Sequence, residues 1–119
     1  MAASLSKSTV ARNKINVVSE DVGGVPYAKQ IATGAGHELI YAKLLAGGSA
    51  AVARIVDTAN IAGDIAGGGY ALENGIAMSA EASGADHIVS NRPIPFRKGI
   101  ALVFEQGQGS NAECFLLFD

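Results

Sequence analysis

The chain has 119 residues, a net charge of −2, 49% apolar and 17% charged residues, 15 glycines, one cysteine and no tryptophan. That length suits one domain with a core of its own, and the apolar share excludes disorder over most of it. The acidic balance argues against a nucleic-acid binder, no run approaches the roughly 18 apolar residues of a membrane span, and a single cysteine excludes an internal disulfide framework.

Residues 1–26 read as an extended, polar N-terminal arm. Before Glu20 the arm carries Lys7, Arg12 and Lys14 and no acid, and it ends in Gly23-Gly24-Val25-Pro26. It lacks the continuous apolar stretch of a signal peptide. Its Ser-rich, acid-poor composition is that of an organelle transit peptide, but it has no clear amphipathic face. A short extended piece is expected at Ile15–Ser19. Lys7, Arg12, Lys14, Ile15 and Val17 are the arm's candidate partner contacts: the cations for an acidic neighbour, the apolar residues for a part of the attraction that salt does not weaken. Deletion of Met1–Glu20 is expected to leave the fold intact.

From Tyr27 to Asp119 strand signals recur at intervals of roughly ten to fifteen residues, separated by glycine clusters, which is the rhythm of a sandwich or barrel. Tyr27–Thr33 is a first short strand. Glu38–Leu45 alternates, with Leu39, Tyr41, Lys43 and Leu45 on one face. Ala46-Gly47-Gly48-Ser49 is a hairpin-type loop, and Ala50–Val56 is the strand after it. A helix with Ser49 as N-cap competes for residues 49–66, but Val52, Ile55, Val56 and Ile61 are β-branched and Val52, Arg54 and Val56 alternate. Asp57–Gly69 is a polar, Gly-rich loop, and Tyr70–Ser79 holds a strand pair or a short helix. His87–Ser90 is a strand. Pro93 and Pro95 bar a central strand at 93–96. Ile100–Glu105 and Ala112–Phe118 are paired as a closing hairpin, with Ile100, Leu102 and Phe104 on one face and Cys114, Leu116 and Phe118 buried on the other strand. Asp119 directly follows the last strand, so the fold is expected to close there with no tail for peptide signals. The expected architecture is an all-β, antiparallel β-sandwich, jelly-roll-like, with helix nearly absent.

No residues assemble into a catalytic or metal-binding signature. His37 and His87 are far apart and have no second ligand at zinc spacing; they read as exposed loop residues. There is no Gly-x-Ser-x-Gly elbow, and Gly67-Gly68-Gly69 is not followed by the Lys-Ser or Lys-Thr of a phosphate loop. Asp57, Asn60 and Asp64 lack the acidic ladder of a calcium loop. Cys114 sits in an apolar run and reads as a small buried hydrophobe. Arg92, Arg97 and Lys98 bracket Ile94-Pro95-Phe96: a solvated turn, or a docking patch for an acidic neighbour with Phe96 as apolar anchor. No catalytic residue, cofactor or metal is assigned.

The run from Glu38-Leu-Ile-Tyr-Ala-Lys-Leu-Leu to Ala-Arg-Ile-Val-Asp57, the polar middle after it, and Arg92-Pro-Ile-Pro-Phe-Arg-Lys-Gly-Ile-Ala-Leu-Val-Phe-Glu-Gln-Gly resemble the small β-sandwich virion proteins of tailed bacteriophages. A hairpin ending in aspartate, a Gly-rich stretch and a Phe-x-Lys-Gly-like entry into a last hairpin carry the resemblance, which covers roughly residues 38–119. It implies a capsid decoration (cement) protein that stabilises the phage head as a homotrimer, located on the virion, with the major capsid protein or other virion subunits as partners and with no nucleic acid or membrane. A tail or fibre component is a second form of that reading. A sugar-binding sandwich, needing exposed tyrosines among Tyr27, Tyr41 and Tyr70, is the reading from a different class.

Overall fold

A computed structural model describes residues 13–20, 26–66, 75–107 and 110–119, and of residues 89–91 the backbone alone. Its elements are β1 (Asn13–Val18), β2 (Tyr27–Thr33), β3 (His37–Leu45), β4 (Ala51–Asp57), α1 (Ile61–Ala66), β5 (Ile76–Ala80), β6 (Ala85–Phe96), β7 (Gly99–Gln106) and β8 (Glu113–Phe118). They form two four-stranded antiparallel sheets, in the orders β1-β8-β3-β6 and β2-β7-β4-β5. The pairs β4·β5, β3·β6, β2·β7 and β1·β8 nest inside one another along the chain, and successive pairs alternate between sheets. This nesting is a jelly roll, so the all-β sandwich expected from the strand rhythm is the fold observed.

Two expected hairpins do not exist. β7 and β8 lie in opposite sheets, as do β3 and β4. Gly47 and Gly48, and the segment between β7 and β8, therefore carry the chain across the sandwich, not around a hairpin. The cause is symmetrical patterning: stacked strands and side-by-side strands both turn alternate apolar residues to one core, so alternation is the same for either arrangement.

That core joins Val17 of β1, Leu39, Ala42 and Leu44 of β3, Phe96 of β6, and Cys114, Leu116 and Phe118 of β8 to Ala51, Ala53 and Ile55 of β4, Met78 of β5, and Ile100, Leu102 and Phe104 of β7. The five residues expected at its centre, Leu102, Phe104, Cys114, Leu116 and Phe118, are all buried. Full burial of Leu102 or Phe104 contributes about 1.5–3 kcal/mol each.

Residues Asn13–Val18, placed by sequence in the arm, form β1, in uninterrupted register from Asn13 opposite Phe118 to Val18 opposite Glu113. Val17 is buried and Ile15 packs against the core. Apolar residues at alternate positions gave the segment an inner face, and the open side of β8 supplied the partner. Truncation through Glu20 thus removes a strand of the sandwich as well as the residues before it.

The polar stretch after β4 contains a short helix. Asn60 caps it, its Oδ1 accepting from Gly63 N at 3.0 Å, and the Thr58 hydroxyl donates to Asp64 at 2.5 Å. Ile61 then sits with Val56, Ala101 and Val103 on the outer face of the β2-β7-β4-β5 sheet, flanked by Ala28 and Ile65. Hence β7 is buried along both faces from Gly99 to Phe104. Gln30 fixes the junction. Its Nε2 donates to the carbonyls of Ala32, Thr58 and Ile100 (2.8, 2.7 and 3.2 Å), and its Oε1 accepts from Ile61 N at 3.0 Å.

Candidate interaction surface

The two sheets differ in what lies on their outer faces. On one, α1 covers Val56, Ala101 and Val103. On the other, no described element covers β1-β8-β3-β6. The strand registers set out its outer side chains in rows: Lys14, Leu117 and Tyr41; Asn16, Phe115, Lys43 and His87; Val18, Glu113, Leu45 and Ala85. Val18 and Leu45 are 47% and 39% exposed, the exposed large apolar side chains among the described residues, and Tyr41, Phe115 and Leu117 are half-buried. Tyr41 is the hub, its ring centroid 6.1 Å from Phe115 and 6.5 Å from the stacked His87. Asn16 Nδ2 donates to Glu113 Oε1 at 3.1 Å. Of these eleven side chains six are apolar or aromatic and three, Lys14, Lys43 and Glu113, are charged, so the face is a candidate contact surface that mixes apolar area with charge.

The open edges differ as well. β6 carries Pro93 and Pro95, β2 is interrupted by a register shift between Gln30 and Ala32, and β5 is five residues long. Each device discourages edge pairing. β1 has no proline, no bulge and one charge, Lys14.

Aspartate and Phe-Arg-Lys-Gly, the separated parts of the sequence pattern, meet at one corner. The Asp57 carboxylate ends β4 and accepts from the backbone N–H groups of Arg97 (3.1 and 3.0 Å), Lys98 (2.8 Å) and Gly99 (3.2 Å), where the chain passes from β6 to β7. Desolvation raises the pKa of Asp57, but the three amides and the charge of Lys98 outweigh it and hold the group below its ordinary 3.8. Glycine is required at 99: φ is +156°, and a Cβ there would lie 2.5 Å from Ala32 O and 2.7 Å from Thr58 O.

The candidate partner residues separate. Lys7 and Arg12 lie outside the described residues. Lys14 is exposed on β1, whereas Ile15 and Val17 face inward. Arg92, Arg97 and Lys98 are exposed, but Phe96 is 4% exposed and belongs to the core, so it is no anchor for a docked partner. Alternation decides this: Phe96 follows Ile94 onto the inner face. Asp57, Asn60 and Asp64 spend their oxygens on separate partners, the corner amides, Gly63 N and the Thr58 hydroxyl. Both histidines are on strands, not loops. His37 bridges two main-chain oxygens, Asp119 O at 2.9 Å and Thr33 O at 3.0 Å, and His87 stacks on Tyr41. Cys114 is buried, and desolvation raises its pKa from 9.0 to about 12. Sequence reasoning missed the face around Tyr41; the Tyr41, Lys43 and Leu45 alternation was visible, but which of the two faces stayed open depends on β8 and α1.

The chain matches no family model and no curated protein. Solved structures similar to it include two of Tobacco streak virus coat protein, one in a C2 crystal form and one of a dimer. Each has 8% sequence identity and a TM-score of 0.44, covers 93% of this chain, and is itself covered over 89% and 88% of its length respectively.

Proposed function

We propose that this chain is a structural virion protein, without catalytic activity, that works by packing against copies of itself and other virion subunits. The observation that carries the reading is the apolar surface of the β1-β8-β3-β6 sheet that no described element covers, on a chain with only 17% charged residues. The finer form is a capsid decoration protein that sits as a trimer on a bacteriophage head against the major capsid protein. Its support is the resemblance of residues 38–119, whose separated motifs are one structural unit through Asp57 and the Arg97–Gly99 amides. Lys14, Arg92, Arg97 and Lys98 are exposed cations suited to an acidic neighbour.

The test is binding of purified protein to phage heads stripped of accessory proteins, read by cosedimentation. Saturable binding that Tyr41→Glu and Phe115→Glu abolish while the circular dichroism spectrum is kept supports the reading; binding that survives both substitutions moves the contact elsewhere. A second reading is favoured by the ring cluster of Tyr41, Phe115 and His87, since stacked rings also hold sugars. Glycan binding lost on Tyr41→Ala, with no binding to heads, supports that alternative.

A further inference from the structure

We infer that β1 is a twofold pairing edge, through which two copies of this chain join their β1-β8-β3-β6 sheets into one continuous antiparallel sheet. Ser19 N donates to Ala112 O at 2.8 Å, which turns the peptide groups of Ser19 toward β8. Peptide groups alternate along a strand. Those of Val17 and Ile15 therefore also face β8, and Lys14, Asn16 and Val18 direct both N–H and C=O to the open edge. Six outward groups in a straight run are a template for another strand, and the other three edges are blocked by proline, a bulge or shortness.

The sequence of β1 suits a second copy of itself. Antiparallel pairing centred on Asn16 sets Asn16 opposite the partner's Asn16 and Lys14 opposite the partner's Val18, each a hydrogen-bonded pair, so every outward group is satisfied. On the inner side Ile15 meets the partner's Val17, extending the core apolar to apolar. On the outer side the aliphatic stem of Lys14 crosses the exposed Val18 of the other copy, and its ammonium comes toward Glu113, the neighbour of Val18 in the same row. The alternative register centred on Ile15 leaves Val18 without a partner within β1 and sets Lys14 against Asn16. Only the register centred on Asn16 pairs Lys14, Asn16 and Val18 all within β1, and that selects one register and a twofold, isologous contact. The inference adds a twofold contact to the self-association in the proposed function, distinct from the threefold contact a trimer would use, and its test is independent of any virion.

Asn16→Pro is the direct variant. Proline at 16 lacks an N–H that faces the open edge, which edge strands tolerate, so the fold should persist while pairing is lost. Light scattering coupled to size exclusion should show the parent at twice the mass of Asn16→Pro, with matching circular dichroism. Lys14→Glu should weaken the association at low salt, and Lys14→Glu with Glu113→Lys should recover it. Independently, Asn16→Cys should form an intermolecular disulfide under mild oxidation, because the twofold sets the two Cα atoms about 5.5 Å apart, within disulfide range. Lys43→Cys, two strands in from the edge, should not, and native Cys114 is buried. Equal masses for parent and Asn16→Pro, or crosslinking of the Lys43→Cys variant and not of the Asn16→Cys variant, would overturn the inference. Loss of head binding with the edge contact intact would sink the virion reading alone.

Discussion

Asp57 closes a corner with one carboxylate, so its contribution is separable from the core's. Asp57→Ala leaves the amides of Arg97, Lys98 and Gly99 to water and should cost about 1–2 kcal/mol in urea unfolding at neutral pH. The folded pKa lies below 3.8, so this stabilisation is present above 3.8 and disappears as pH falls through the lower folded value. The stability gap between parent and Asp57→Asn should therefore narrow on acidification; a constant gap would mean that the charge plays no part. Cys114 behaves in the opposite sense. Its thiol is raised to about 12, so the unfolded chain ionises first and stability should decline as pH rises from 9.0 toward that value. A Cys114→Ala variant, though less stable overall, should lack this alkaline component. At this scale the sequence was legible for Cys114, whose apolar neighbours announce burial. It was not legible for Asp57, because its partners are backbone amides forty residues away and any residue type supplies an amide.

α1 exists because β7 needs cover on both sides and because Gln30 is there to receive Ile61. Gln30→Leu keeps the volume but leaves Ile61 N and Thr58 O without their partner, and should cost about 1–3 kcal/mol for each group that water cannot reach. Amide exchange at Ile61 should quicken in that variant; unchanged protection would show the helix to be held by Ile61 packing alone. For β8, Phe118→Ala should lower stability by about 3–5 kcal/mol, the range for a buried phenylalanine, and an unchanged melting temperature would make the strand peripheral. Strands β2, β3, β4, β7 and β8 were readable from alternation, whereas β1 was placed in the arm and β5 fell in a stretch read as a strand pair or a short helix. The short helix was not, since residues 57–66 look like a loop wherever Ala, Gly and Asp dominate, and Asn60 as cap has meaning only once Ile61 has somewhere to pack. Pairing was equally hidden: Ile100, Leu102 and Phe104 match Cys114, Leu116 and Phe118 in period whether the strands are neighbours or face each other across the core.

For the whole molecule, the N-terminal cations can be tested apart from the strand that follows them. Reversing Lys7 and Arg12 to Glu should leave the unfolding curve unchanged and lower occupancy on phage heads, most at low salt, where attraction between exposed charges is least screened. Equal occupancy across a salt series would place attachment wholly in the sandwich. Deletion through Glu20 should in addition destabilise the fold, as Val17 leaves the core. The nested strand pairs also set an itinerary for the chain as it folds. Ile55 meets Ile76, Leu45 meets Ala85, Thr33 meets Gly99 and Val18 meets Glu113, so each pair closes a larger loop than the one inside it. Once an inner pair has formed, the next brings together ends that are already near, and the entropic cost of each step stays small. Folding should therefore proceed from β4·β5 outward, slowly, on the millisecond-to-second scale of topologies dominated by distant contacts. Kinetic φ-values should be high at Ile55 and Met78 and near zero at Val17, which makes β1 the last strand to dock and the first to leave.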